Sequence, residues 1–365
     1  MPTPRLDADV LQETWEAFRK ANGNVTQAAA SLGLIRGTFQ VRLARAFEEG
    51  YEDIRQSTHF HVDPIPSRQR NLDELLAHRR KESERMRAAD AAENIIGITL
   101  KTDGPIGLAV FGDPHIDAPG CDFNLLESHL GIVAKRNEYV FAGNIGDLHD
   151  NWIGRLSRLY ESTTITGKET WQLVEWMMNG CGVRWTWLIR GNHDAWSGKN
   201  DPLDWIAKSA GVGVDKHWGA RLRFRHPNGT DTMMHARHDF TGNSQFNPLH
   251  GLKKETLHGS RDDIIIAGHR HSGADARDVN GDGHPFVMVR TSGYKVSDTY
   301  AYEKGFHPKP LHPAAMIIVN PDEPRGSHSR IWVAPCLEVG ADYLDFLRKR
   351  FNTRPRTAPK KGKQT

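Results

Sequence analysis

Five apolar runs in this chain each stop at residues that bind metal ions well, and that regularity limits the folds open to it more than any other feature. The runs and their ends read GLAVFGDPHID, YVFAGNIGDLHD, WTWLIRGNHD, TMMHARHDF and DIIIAGHRH, spanning residues 107 to 271. Each is short, rich in β-branched or aromatic residues and closed by glycine or a polar cluster, which is the pattern of a buried strand entering a loop. Helical stretches separate some of them, one predicted from Asp122 to Lys135 and another around Thr170 to Met178. Further β-rich runs follow as FVMVRT, AAMIIVN and RIWVAP. Strands alternating with helices from about 103 to 340 predict an α/β fold built on a central sheet or a pair of sheets.

The strand ends carry the chemistry. Asp113 and His115 stand two apart on an extended segment, so both side chains share a side and can reach one ion. Asp147 offers two carboxylate oxygens and can bridge two ions, Asn192 and His193 follow the third run, and His269 and His271 the fifth. In TMMHARHDF either His235 or His238 can be the ligand, with His238 preferred because it lies nearer the polar end of the strand. A single DxH or a single histidine would signify little. The ordered series DxH, GD, GNHD, H, GHxH, each after an apolar run, is hard to obtain by accident. His149, Asp150, Asp194 and Asp239 are candidates for carboxylates and rings that orient the ligand imidazoles, with a plain loop role as the alternative for each.

Over roughly residues 105 to 335 this series resembles the calcineurin-like metallophosphoesterases. The resemblance implies a β-sandwich flanked by helices. It also implies that Asp113, His115, Asp147 and His271 hold one divalent ion while Asp147, Asn192, His238 and His269 hold the second, with Asp147 bridging and His193 catalytic but not a ligand. Nitrogen and oxygen donors without thiolates suit Mn²⁺ first, with Fe or Zn as alternatives. Within the family, GDLHD followed by Asn151 and Trp152 is closer to the nuclease and phosphodiesterase branches than to the phosphoprotein phosphatases, which carry an arginine there. RGNH is shared with those phosphatases.

The N-terminal residues predict a separate small all-α domain. Val10, Leu11, Trp15 and Phe18 fall on one helix face, Asn24 is a predicted N-cap, Ala28 to Leu32 fit a short helix, Gly33 permits a turn and Arg36 to Glu49 a third helix with Phe39, Leu43 and Phe47 inward. This order resembles a helix-turn-helix, which implies that Arg36, Thr38, Gln40 and Arg42 reach DNA. The alternative is a three-helix bundle that binds protein or merely packs. The expected division is 1–55 helix-turn-helix, 56–100 linker and charged helix, 101–345 metallophosphoesterase domain and 346–365 basic disordered tail.

Composition narrows the remaining choices. Three well-separated cysteines, Cys121, Cys181 and Cys336, point to neither a disulfide framework nor a thiolate zinc site. No apolar run approaches the roughly 20 residues of a membrane span, and MPTPRLDADV lacks the features of a signal peptide, so a cytoplasmic, membrane-free protein is expected. A DNA-binding module joined to this catalytic domain resembles phage and prophage proteins, which implies the cytoplasm of an infected bacterium. The sequence therefore predicts a binuclear-metal phosphodiesterase, a nuclease acting on DNA, with homodimerisation compatible with paired half-sites. A phosphatase and a DNA-binding regulator with a secondary phosphoesterase site are the alternatives. Trp171, Trp176, Trp185 and Trp187 are expected in the core, and TGNSQFNPLHGLKKE either lines a substrate groove or forms a solvated loop and helix start.

Overall fold

A computed structural model describes residues 6–55, 70–196, 198, 201–244, 246–257, 261–296 and 312–353. The expected linker at 56–69 and the end of the basic tail, 354–365, lie outside the described residues. The chain divides into two compact units, residues 1–81 and 82–365.

The first unit contains helices α1 (Ala8–Lys20), α2 (Val25–Ser31) and α3 (Arg36–Glu48). The Asn24 side chain caps α2 by accepting from Thr26 N and Gln27 N, and Gly33 turns the chain in a left-handed conformation at φ +66°. Ala17 and Phe18 of α1, Ala28 and Ala29 of α2, and Phe39 and Leu43 of α3 form one apolar cluster. Asn24→Ala removes the cap, which should cost about 1 kcal/mol. That loss would be read as a lower midpoint for the unfolding of these helices by circular dichroism. Helix α4 (Leu72–Glu93) crosses the unit boundary, and its described side chains are nearly all exposed, as a solvated charged helix requires.

The second unit is a stack of helices, two mixed six-stranded sheets and a further helix. The first sheet has the order β12-β11-β2-β3-β4-β5, where β2 is Ile106–Phe111, β3 Val140–Asn144, β4 Trp185–Arg190, β5 Val214–His217, β11 Ala314–Val319 and β12 Ile331–Ala334. Its strands β2 to β5 run parallel, and β11 pairs antiparallel with both β2 and β12. The second sheet has the order β1-β6-β7-β8-β10-β9, where β1 is Ile96–Thr99, β6 Gly219–Arg225, β7 Asp231–Arg237, β8 Ile264–Ala267, β9 Ala274–Val279 and β10 Pro285–Arg290. Alternation decides which side chain enters which layer. Leu108 and Val110 of β2 pack against Leu222, Phe224, Met234 and Ile266 of the second sheet, making the sandwich core. Ala109 and Phe111 face the other way, with Leu126 and Leu130 of α5 (Phe123–Ala134), Val174 of α6 (Gly167–Glu175), and Leu337 and Leu344 of the C-terminal helix (Leu337–Thr353). Ile265 and Ala267 of β8 are covered instead by Leu252 of the helix His250–Leu257. Trp185 and Trp187 lie in these cores.

Two boundaries differ from expectation. Strand β1 places residues 96–99, expected in the linker segment, inside the second sheet by pairing parallel with β6. The C-terminal helix continues to Thr353 because Leu344 and Leu347 pack on the first sheet and Arg348 donates to the Asp103 and Pro105 carbonyls. The stretch 346–353 is therefore helix and not tail.

Candidate metal centre

The parallel strands β2, β3 and β4 of one sheet and β7 and β8 of the other send their C-terminal loops to one place, where polar side chains can meet without breaking a ladder. The loop after β2 brings Asp113 and His115, that after β3 Asp147, and that after β4 Asn192 and His193 at the start of the short helix Asn192–Ala195. The loop after β7 brings His238 and that after β8 His269 and His271. Backbone geometry here is unusual. His115, Asp147, His269 and His271 all adopt left-handed φ angles between +42° and +68°, a conformation non-glycine residues take at an energetic cost. The close approach also requires glycine: a Cβ on Gly191 would collide with Asp147 Oδ1 and one on Gly146 with His238 Nδ1.

The interatomic distances describe two nests sharing Asp147. In one, His238 Nε2 lies 3.2 Å from Asp147 Oδ2, 3.1 Å from Asn192 Oδ1 and 3.0 Å from His269 Nδ1. In the other, His271 Nε2 lies 3.2 Å from His115 Nε2 and 3.3 Å from Asp113 Oδ2, and His115 Nε2 lies 4.0 Å from Asp147 Oδ2. Donor atoms bound at about 2.1 Å to a common ion stand roughly 3.0 to 3.4 Å from one another in octahedral or tetrahedral arrangements. The nest around His238 matches that spacing throughout, and the other matches it at His271, with Asp147 Oδ2 wider, at 4.0 Å from His115 Nε2.

Hydrogen bonding at the far side of each ring sets which nitrogen faces inward. His238 Nδ1 is 2.9 Å from the Ile145 carbonyl and His115 Nδ1 is 2.8 Å from Asp150 Oδ1, so in each ring Nε2 is the nitrogen that faces the nest. Imidazole, carboxamide and carboxylate donors thus converge within hydrogen-bonding distance of one another, where a cation would draw their lone pairs together. Asp113 Oδ1, fully buried, finds no hydrogen-bond partner among the described residues. Burial resists charge on His238, yet the Asp147 carboxylate, its hydrogen bond and Asp113 push that ring up to about 10. Burial would likewise raise Asp147, but His238, His193 and His115 hold it far below the usual carboxylate range. The donor set, nitrogen and oxygen without thiolate, is one that could hold a divalent ion. Asp113, His115, Asp147 and His271 are placed to hold one, and Asp147, Asn192, His238 and His269 the other.

His193 sits beside both nests. The residue is 8% exposed, its Nδ1 bonds the Asp150 carbonyl, and its Nε2 lies 4.0 Å from Asp147 Oδ2. Burial and the neighbouring His115 push it down to about 4, so the ring is neutral with its lone pair on Nε2. His235 lies elsewhere, against Phe240 with Nδ1 3.7 Å from Glu255 Oε1 and 3.8 Å from Asp262 Oδ2, on the opposite side of the β7 alternation.

Of the candidate supporting groups, only Asp150 orients a nest imidazole through its side chain. Its carboxylate holds His115 and is itself held by Lys295 Nζ at 3.1 Å. Burial would raise Asp150, but the hydrogen bond from His115 and the Lys295 ammonium keep it well below the usual range. Asp194 grips backbone instead, accepting from Asp147 N, Leu148 N and Gly191 N, and so clamps the loops after β3 and β4 together. Asp239 receives Arg270 and Arg290, because fully buried Arg290 needs a counter-charge there. His149 packs at a tilt against Trp171, with ring centroids 4.6 Å apart. The segment after His238 supplies Asn243 and the Gly242 carbonyl to Arg270 and then starts the helix at His250. Asp150→Ala should weaken metal affinity about 10- to 100-fold, the range for a residue that orients a ligand, and calorimetric Mn²⁺ titration would measure it. Lys295, on the loop after β10, had no motif to mark it in the sequence.

No family model matches the chain, and no curated protein matches it. Among solved structures it is similar to a 5′-nucleotidase precursor from Thermus thermophilus, with TM-score 0.37, 11% identity, and coverage of 68% of this chain and 59% of that one. It is also similar to the calcineurin-like phosphoesterase YfkN from Bacillus subtilis, at TM-score 0.35 and 11% identity over 68% of this chain and 100% of that one. A third is the NAD nucleotidase of Haemophilus influenzae, at TM-score 0.36 and 9% identity over 63% and 55%. The chain thus spans 59% of the length of the nucleotidase precursor.

Proposed function

We propose that this protein is a calcineurin-like, metal-dependent phosphoester hydrolase with two divalent ions, Mn²⁺ favoured, and that its substrate is a phosphodiester of DNA. The observation that supports the hydrolase reading is the pair of nests joined at Asp147, each of which gathers nitrogen and oxygen donors that could hold a cation. Bound by these residues, two such ions would supply an activated water as nucleophile and would offset charge on the phosphoryl oxygens.

The chain's own residues supply the rest. Asp147 is positioned from two sides: Oδ1 accepts from His193 N, and its backbone amide donates to Asp194. The neutral His193 ring presents Nε2 to the region where the phosphoester would sit. An anionic substrate favours its protonated form, and the ring can then pass that proton to the leaving oxygen. Exposed His269, and His271 with a third of its side chain accessible, leave the centre open to solvent on that side.

DNA as substrate is supported by the N-terminal three-helix unit, where Arg36, Thr38 and Gln40 are exposed on α3 and Arg42 is half-buried. Exposed polar and basic side chains on the third helix suit insertion in the major groove. Removing residues 1–55 should weaken DNA binding and flatten its salt dependence while sparing hydrolysis of a small diester. An unaltered salt slope would assign this unit to protein contacts. Hydrolysis of bis(4-nitrophenyl) phosphate against 4-nitrophenyl phosphate, alongside labelled DNA, separates the readings: diester and DNA cleavage support the nuclease, and monoester turnover with intact DNA the phosphatase.

A further inference from the structure

The binuclear centre is edged by tryptophans outside the cores that hold the sheets together. Trp152 meets the His193 ring edge-on at 4.9 Å, and Trp196 lies 4.3 Å from the same ring. On the other flank Trp218, between β5 and β6, has its ring 6.2 Å from that of His238. Trp152 is nearly buried, with Lys295 Nζ 5.2 Å from its ring centre, and reads as support for His193. Trp218 is different, for it remains 46% exposed.

Folding gives little reason for an indole at that position. Trp218 takes a left-handed backbone at φ +65°, which bulky side chains rarely adopt. Its main-chain hydrogen bonds, Trp218 N to the Arg190 carbonyl and His238 N to the Trp218 carbonyl, would both be made by a glycine or asparagine at less strain. A large apolar ring kept half in water, 6.2 Å from the His238 ring of the metal centre, has the placement of a ligand surface. An aromatic face next to a phosphate site recognises the flat group one sugar away from that phosphate, and it accepts any base because every base has a π-face.

We propose that Trp218 is a nucleobase-stacking surface, with Trp196 as a second aromatic wall on the His193 flank, so that the diester held at the centre belongs to a nucleotide or nucleic acid. This rests on the hydrolase reading above and deepens its substrate assignment by naming the side chain that would recognise the base. Specificity by stacking raises affinity without changing the reacting groups, so it is expressed mainly in KM.

The test compares thymidine 5′-(4-nitrophenyl phosphate) with methyl 4-nitrophenyl phosphate, which release the same leaving group, in Mn²⁺-supplemented wild type, Trp218→Ala and Trp218→Phe. The wild type should prefer the thymidine ester. Trp218→Ala should reduce that preference about 10- to 100-fold, the worth of one stacked base, chiefly through KM, and Trp218→Phe should restore most of it. Equal losses for both esters, or an unchanged preference, would overturn the proposal. Quenching of intrinsic fluorescence by thymidine 5′-monophosphate gives a readout without turnover. Saturable quenching weakened in Trp218→Ala supports stacking, and quenching of equal affinity in both proteins rejects it. If the wild type hydrolyses neither ester, the hydrolase reading fails while the quenching result still decides the stacking surface.

Discussion

Asp147→Asn should abolish hydrolysis and metal binding together. The substitution keeps the volume of the side chain but replaces a carboxylate oxygen by an amide that bears protons and cannot serve both nests. His238 Nε2, 3.2 Å from Asp147 Oδ2, would lose its neighbouring negative charge, and the centre would lose the group common to both ion sites. The expected fall in diester hydrolysis exceeds the roughly 100-fold limit for residues that merely orient a ligand. Metal content measured on the dialysed variant should fall from two ions toward none. Two retained ions with activity within tenfold of wild type would show that Asp147 does not bridge.

His193→Ala should separate the two properties. His193 donates its backbone amide to Asp147 Oδ1, and alanine keeps that bond, so metal binding should survive. What disappears is the ring on the Asp150 carbonyl with Nε2 turned toward the reaction region. Loss of a proton donor of this kind costs about 10²- to 10⁴-fold in kcat. The decrease should be smaller for a 4-nitrophenyl leaving group, which departs without protonation, than for an alkyl one. An equal decrease for both would assign His193 a role in positioning or charge stabilisation.

Much of this centre could be read from the sequence because its parts follow strands whose hydrophobic runs are unmistakable. β2, β4 and β8 are buried on both faces, so Leu108 to Phe111, Trp187 to Ile189 and Ile264 to Ala267 appear as continuous apolar runs, and the loops after them stand out. The N-terminal helices were readable for a similar reason, since Asn24, Gly33 and the spacing of Phe39 and Leu43 are local signals. Strand β6 was missed: GARLRFR alternates inward Ala220, Leu222 and Phe224 with arginines, a period-2 pattern hidden by its charge. β1 and the last turns of the C-terminal helix were missed because pairing with β6, and packing of Leu344 and Leu347 on the first sheet, decide them from a distance.

Supporting groups were less accessible for the same physical reason. Asp150 and Lys295 are 145 positions apart, and only the fold brings the ammonium to the carboxylate that orients His115. Asp194 looked suited to an imidazole, yet three amides from two loops claim it first. Trp218 follows the strand VDKH and has no motif around it, so its importance emerges only when its ring is found beside His238.

The most direct measurement is a titration of metal-stripped wild-type protein with Mn²⁺, following bis(4-nitrophenyl) phosphate hydrolysis after each addition. Hydrolysis that rises to a plateau at two equivalents per chain is the predicted result. Absence of hydrolysis at saturating Mn²⁺, Fe²⁺ and Zn²⁺, with no ion retained on dialysis, would contradict the binuclear hydrolase.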